Sequence, residues 1–119
     1  MHELSVCQAL VSQLETLARE QEAERVVSLR VGIGPLSGVE PELLQHAFPL
    51  AAAGSCASEA ALAIEHRPVR VHCSKCGCDS EARVNRLVCG ACGDWHTELI
   101  SGDELLLMQV EFLRERAYV

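Results

Sequence analysis

Aromatic residues are scarce in this 119-residue chain, which has one Trp, one Tyr and two Phe. A surface that binds nucleic acid by base stacking needs more of them. Positive charge is also in deficit: ten Lys and Arg stand against seventeen Asp and Glu, a formal net charge of −7. That balance argues against nucleic acid or an anionic membrane as the main partner. No apolar run approaches the ~20 residues that a bilayer-spanning helix needs. The H-E-x-x-H pattern, and H-x-E followed by P-C-x-x-C, are both missing, which argues against a zinc hydrolase or deaminase. No Ser/His/Asp order, phosphate-cradling glycine loop, internal repeat or low-complexity tract stands out, so the chain reads as no enzyme. A helical pattern begins beside Met1 and leaves no space for a targeting segment. The expected location is therefore the cytoplasm.

Cysteine is what the chain does have. Cys73-Ser-Lys-Cys76 is followed, after twelve residues, by Cys89-Gly-Ala-Cys92. Two C-x2-C pairs at that spacing bring four thiolates to one tetrahedral Zn(II), and the residues between them suffice for a short hairpin arm. Gly77, Gly90 and Gly93 supply the turns. Paired disulfides are the weaker reading, because the chain has seven cysteines, an odd number, and no signal peptide. Cys78, His72 and His96 flank the pairs and could each replace a ligand, but the matched spacing favours Cys73, Cys76, Cys89 and Cys92. Four thiolates close the site to substrate, so its expected role is structural.

Around this ribbon the periodicity is legible. Leu4, Cys7, Leu10, Val11, Leu14, Leu17 and Ala18 predict an amphipathic helix over about 3–21. Val27, Leu29, Val31 and Ile33 alternate with Ser28, Arg30 and Gly32 as a half-buried strand. Pro41 suits the first turn of a second helix over about 41–53, which Pro49 should kink or divide. A second strand is expected over 61–66 and a third over 104–112, with Leu106, Met108, Val110 and Phe112 on one face. The expected fold is α+β: a small three-stranded sheet with two helices, residues 1–66 and 97–119, carrying an inserted zinc ribbon, residues 67–96.

The ribbon's five basic residues (Arg67, Arg70, Lys75, Arg83, Arg86) oppose three acidic ones (Asp79, Glu81, Asp94), and four thiolates on Zn(II) bring it near neutrality. The chain's other candidate metal site is its N-terminus. The α-amine of Met1, with the amide nitrogen and imidazole of His2, can form two fused chelate rings of the planar nitrogen type that Ni(II) and Cu(II) prefer. At a helix start those amides have no intrahelical partner to lose.

Met1-His2-Glu3-Leu4-Ser5, the strand ending in Val31-Gly32, Val39-Glu40-Pro41-Glu42, the paired C-x2-C and Ser101-Gly102-Asp103-Glu104-Leu105 follow one another along the chain. Together they resemble the HypA/HybF family of hydrogenase nickel-incorporation proteins over essentially its whole length. The resemblance implies an α/β nickel-binding domain with a zinc ribbon, and Ni(II) and Zn(II) as metals. It implies nickel delivery, with the GTPase HypB, to the large-subunit precursor of [NiFe]-hydrogenase. Its nickel site falls on Met1, His2 and Glu3, with Glu40 as a nearby acidic contributor, and its zinc site on the four ribbon cysteines. The chain departs from the family in Cys78, in Pro49, and in lacking a proline after Cys89. A monomer or weak homodimer is expected, with no nucleic acid or membrane partner. The competing expectation is a zinc-ribbon adaptor that binds protein and handles no nickel.

Overall fold

The computed structural model describes residues 3–114. Along the chain run α1 (Glu3–Glu20), β1 (Arg25–Ile33), α2 (Pro41–Ala52), β2 (Ala61–His66), β3 (Arg70–Cys73), β4 (Asp79–Glu81), β5 (Thr97–Ser101) and β6 (Leu105–Leu113). They form two three-stranded sheets, of order β2-β1-β6 and β4-β3-β5, so the α+β expectation holds. The chain divides into two compact units: one through Val31, Val39–Glu65 and from Leu107 on, the other Gly32–Gly38 and His66–Leu106. Among the described residues no helix is long and apolar enough to cross a membrane.

In the first unit, α1 buries Val6, Cys7, Leu10, Leu14 and Ala18. Leu4, expected on that face, is 44% exposed, and Val6 takes its place. The helix stops where Glu22 adopts a positive φ of 52° and Ala23 N–H reaches back to Ala18 O at 2.8 Å. This is a left-handed C-terminal cap of the kind glycine usually makes.

The two helices run parallel, since successive contacts advance together along both. Glu3 Oε2 accepts Glu40 N–H at 3.0 Å, Cys7 Sγ lies 3.6 Å from Leu44 O, and Glu15 Oε1 accepts Cys56 N–H at 2.9 Å. Val26 N–H donates to Cys56 O and Gln45 Nε2 to Leu62 O, which ties α1, β1, α2 and β2 into one core. Phe48, Leu14, Leu44, Val26 and Val31 are fully buried there.

Pro49 does not divide α2, which continues to Ala52. The carbonyl deprived of a partner is that of Gln45, and both Gln45 and Pro49 are exposed, so water can satisfy it. β1 starts two residues earlier than expected and buries Val26, while Val27 is 41% exposed. The inward positions step by three from Val26 to Leu29, a local break in the period-two pattern that alternation alone does not reveal. On β6, Val110 and Phe112 are half-buried, but Leu106 and Met108 on the same parity are exposed.

The second unit is organised by β3, which pairs antiparallel with β4 (Val71↔Ser80, His72↔Asp79) and β5 (Val71↔Leu99, Cys73↔Thr97). Behind it, Gly34 N–H donates to Glu104 O and Leu36 N–H to Gly102 O, at 2.9 and 2.7 Å. The two segments approach so closely that a Cβ on Gly34 would lie 2.1 Å from Gly102 O. Gly102 itself sits at φ 122° against Val69. Only glycine fits either position.

Candidate metal centre

Cys73 ends β3, and the chain then turns through Cys76 and Gly77. Cys89 opens the same turn through Cys92 and Gly93. The two turns have the same bonding. Gly77 N–H donates to Cys73 O and Gly93 N–H to Cys89 O, each at 2.9 Å and each with glycine at φ 78°. Cys73 N–H donates to Cys78 O and Cys89 N–H to Asp94 O, again both at 2.9 Å. Cys76 N–H points at Cys73 Sγ at 3.4 Å, and Cys92 and Ala91 N–H point at Cys89 Sγ at 3.4 and 3.3 Å. The second turn thus needs no proline to reproduce the first. Gly90 has no positive φ; its smallness lets Ser80 approach, and Ser80 Oγ accepts Gly90 N–H at 2.9 Å.

These turns bring four sulfurs within 4.8 Å of one another. Cys73 and Cys92 are 3.7 Å apart, Cys76 and Cys89 3.5 Å. A tetrahedral ZnS4 centre with ~2.3 Å bonds has S···S edges of roughly 3.8 Å, so the donor set and its spacing are consistent with zinc. Among the described residues Cys78, His72 and His96 do not join this group. His72 Nδ1 pairs with Asp79 Oδ1 at 2.6 Å and His96 Nδ1 with Asp94 Oδ2 at 2.8 Å.

The protonation pattern follows the backbone. The N–H groups of Cys92 and Ala91 pull the Cys89 thiol down to about 6, and the Cys76 N–H lowers Cys73. At Cys76 the N–H of Cys78 acts downward. Donation to Cys89, loss of water and the other two sulfurs outweigh it and push the thiol up to about 12. At Cys92 the N–H of Asp94 and the Cys76 sulfur act downward, but loss of water and the sulfurs of Cys73 and Cys89 outweigh them and raise the thiol. Each close pair therefore shares one proton between a favoured thiolate and a favoured thiol, and a bound cation takes that proton's place.

Several residues that brace the site carry no motif and were missed in the sequence. Ser74 N–H and Oγ both donate to His96 O, and Thr97 Oγ1 donates to Leu87 O at 2.6 Å. Asp94 accepts from His96 N–H at 3.0 Å, which with the His96 ring and Lys75 holds its carboxyl below the usual range. Only their spacing from the cysteines could have hinted at such supports.

Of the expected nickel residues, Met1 and His2 lie outside the described residues. Glu3 is the first residue of α1 and half-buried, with its carboxylate on the N–H of Glu40, the exposed residue that opens α2. Two acidic residues thirty-seven positions apart therefore meet where both helices begin.

An α+β unit joined to a zinc-ribbon-like unit with a four-cysteine metal site is the class that these features define. A family model described as "Hydrogenase/urease nickel incorporation, metallochaperone, hypA" matches residues 1–112. The chain belongs to this HypA family of nickel metallochaperones for hydrogenase maturation, which are not enzymes. It is 46% identical over 113 residues to the hydrogenase maturation factor HypA of Nitrosospira multiformis, covering 95% of this chain and 98% of that one. To the factor of the same name from Aquifex aeolicus it is 40% identical over 111 residues, 93% and 96% of the two chains. The solution structure of the Ni metallochaperone HypA from Helicobacter pylori superimposes with a TM-score of 0.74 at 28% identity, covering 97% of this chain and all of that one.

Proposed function

We propose that this chain carries Ni(II) as cargo at its N-terminus while Zn(II) holds the ribbon permanently. Family membership across residues 1–112 is the observation that carries this reading. The chemistry of the two donor sets agrees with it. A closed set of four sulfurs retains its ion and offers a second metal no open position. In the nickel reading, the Met1 amine, the His2 amide nitrogen and imidazole, and Glu3 form the site. Nitrogen donors in a plane suit Ni(II), and a small ligand set on a terminus suits an ion that must be released. The recipient is a hydrogenase-related partner: the large-subunit precursor of [NiFe]-hydrogenase, with the GTPase HypB assisting. A monomer or weak homodimer in the cytoplasm fits this work, because the ribbon's thiols need a reducing compartment.

The deciding experiment is an isothermal nickel titration of the zinc-loaded chain and of His2→Ala. Stoichiometric Ni(II) binding by the first, lost in the second at unchanged zinc content, is the expected result. No binding by either protein would favour a zinc-ribbon adaptor without nickel function, and undiminished binding by His2→Ala would take His2 out of the site.

A further inference from the structure

Between the two cysteine turns the chain reverses at a hairpin tip whose residues the metal chemistry does not use. Arg83 and Arg86 form an isolated antiparallel bridge around Val84 and Asn85, and Arg86 N–H donates to Arg83 O at 3.0 Å. Residues directly opposite in an antiparallel pair project to the same side with Cβ atoms ~5 Å apart, and like charges so placed destabilise the pair. Both arginines are exposed, and among the described residues neither has an ion-pair partner. The tip lies beside a groove of about 260 Å³ lined by Glu81, Ala82, Arg83, Arg86, Val88 and Gly90. Glu81 is the groove's one acid, and it makes no ion pair with either arginine among the described residues.

We propose that this tip is a docking surface for an acidic, leucine-bearing segment of a partner protein. Two guanidinium forks on one side of a hairpin present paired donors matched to carboxylates, and an incoming acid relieves their mutual repulsion. Val84 and Leu87, 49% and 37% exposed, adjoin the arginines and call for an aliphatic side chain in the same segment. A nucleic acid or anionic membrane meets the long-range repulsion of a chain with net charge −7, and residues 82–88 offer no aromatic ring for a base. A short acidic peptide needs only the local charge. The proposal does not rest on the nickel reading, because every group it uses lies on the ribbon.

The test uses the full zinc-loaded chain and a fluorescein-labelled synthetic peptide of alternating glutamate and leucine, read by fluorescence anisotropy. Saturable binding is expected, weakened at least about tenfold in the double variant Arg83→Gln/Arg86→Gln, the loss of one strong charge-assisted contact or more. Val84→Ser/Leu87→Ser should weaken it independently, and zinc content, measured on each variant, should not change. The same peptide with glutamine for glutamate should not bind. The proposal is overturned if the peptide fails to bind, or if neither double variant weakens it. It is overturned equally if single-stranded DNA or anionic vesicles compete as well as the peptide, or if sedimentation shows that the variants abolish self-association instead.

Discussion

The carboxylate of Glu3 accepts the backbone N–H of Glu40 at 3.0 Å, so the first residue of α1 closes the start of α2. Glu40 makes no side-chain cap of its own, and Pro41 follows it at the first turn. The Glu3 carboxylate accepts the N–H of this N-cap residue, as the acid of a capping box does, and places negative charge at the positive end of the α2 dipole. Glu3→Ala should therefore cost about 1 kcal/mol of stability, within the range for lost caps, and also weaken nickel binding. Glu40→Gln removes a charge but leaves that backbone bond, and should weaken nickel with no measurable loss of stability. Chemical denaturation beside nickel titration separates the two effects. If Glu3→Ala leaves the denaturation midpoint unchanged, the capping role is wrong.

Much of this was legible in the sequence, and the failures have local causes. The zinc-ribbon-like turns could be read from Cys73, Cys76, Cys89 and Cys92 because spacing alone determines whether two short turns converge. Helix periods placed α1 and α2 to within a residue or so at their ends. Val6 was missed because it lies two residues from Leu4, and Val26 because it adjoins Val27; in each case only the packed partner decides which aliphatic is buried. β5 was missed as a strand of the second sheet because its Leu99 and Ile100 are both exposed, leaving no alternation to detect. The meeting of Glu3 with Glu40 depends on the parallel helices, which no local pattern announces.

The approach of Gly34 to Gly102 gives a sharp expectation. An alanine Cβ at 34 would stand 2.1 Å from the Gly102 carbonyl oxygen and 2.2 Å from its carbon, both backbone atoms that cannot swing aside. Gly34→Ala should cost roughly 3 kcal/mol or more. Gly38 has φ 79° but open space around the position, so Gly38→Ala should cost only the left-handed penalty of about 1 kcal/mol. Urea denaturation of the two variants would show that ordering. Equal losses would mean that the close approach is relieved by backbone movement.

Zinc affinity should depend steeply on pH. In the metal-free ribbon near neutrality, Cys76 and Cys92 hold their protons, and Cys89, with its thiol near 6, is already a thiolate. Zn(II) must displace at least the first two protons, so affinity falls as pH falls, by about a hundredfold per unit. Below about pH 6 the proton regained by Cys89 steepens the dependence further. Competition against a chromogenic chelator between about pH 5.5 and 8 measures the slope directly. A slope of one proton or fewer would show that the four sulfurs do not share the ion as described.

The sharpest test of the nickel reading removes no side chain. Adding two residues before Met1 turns its amine, the proposed anchor of the chelate, into an ordinary amide and leaves the His2, Glu3 and Glu40 side chains unaltered. A single added residue would not serve, because it makes the histidine third in the chain and lets amine, two amides and imidazole form a planar set of four nitrogens. With two added residues the imidazole is on the fourth residue, and the ligand set must close a larger ring, with poorer planarity. Ni(II) should then bind at least about tenfold more weakly, which is 1.4 kcal/mol, with a shifted d–d absorption band. Zinc content and the denaturation midpoint should stay as they were, because the change lies outside both packed cores. Unchanged affinity together with an unchanged square-planar spectrum would mean that the amine is no ligand. The site would then have to be rebuilt from the imidazole of His2 and the side chains of Glu3 and Glu40, two residues that meet where the helices begin.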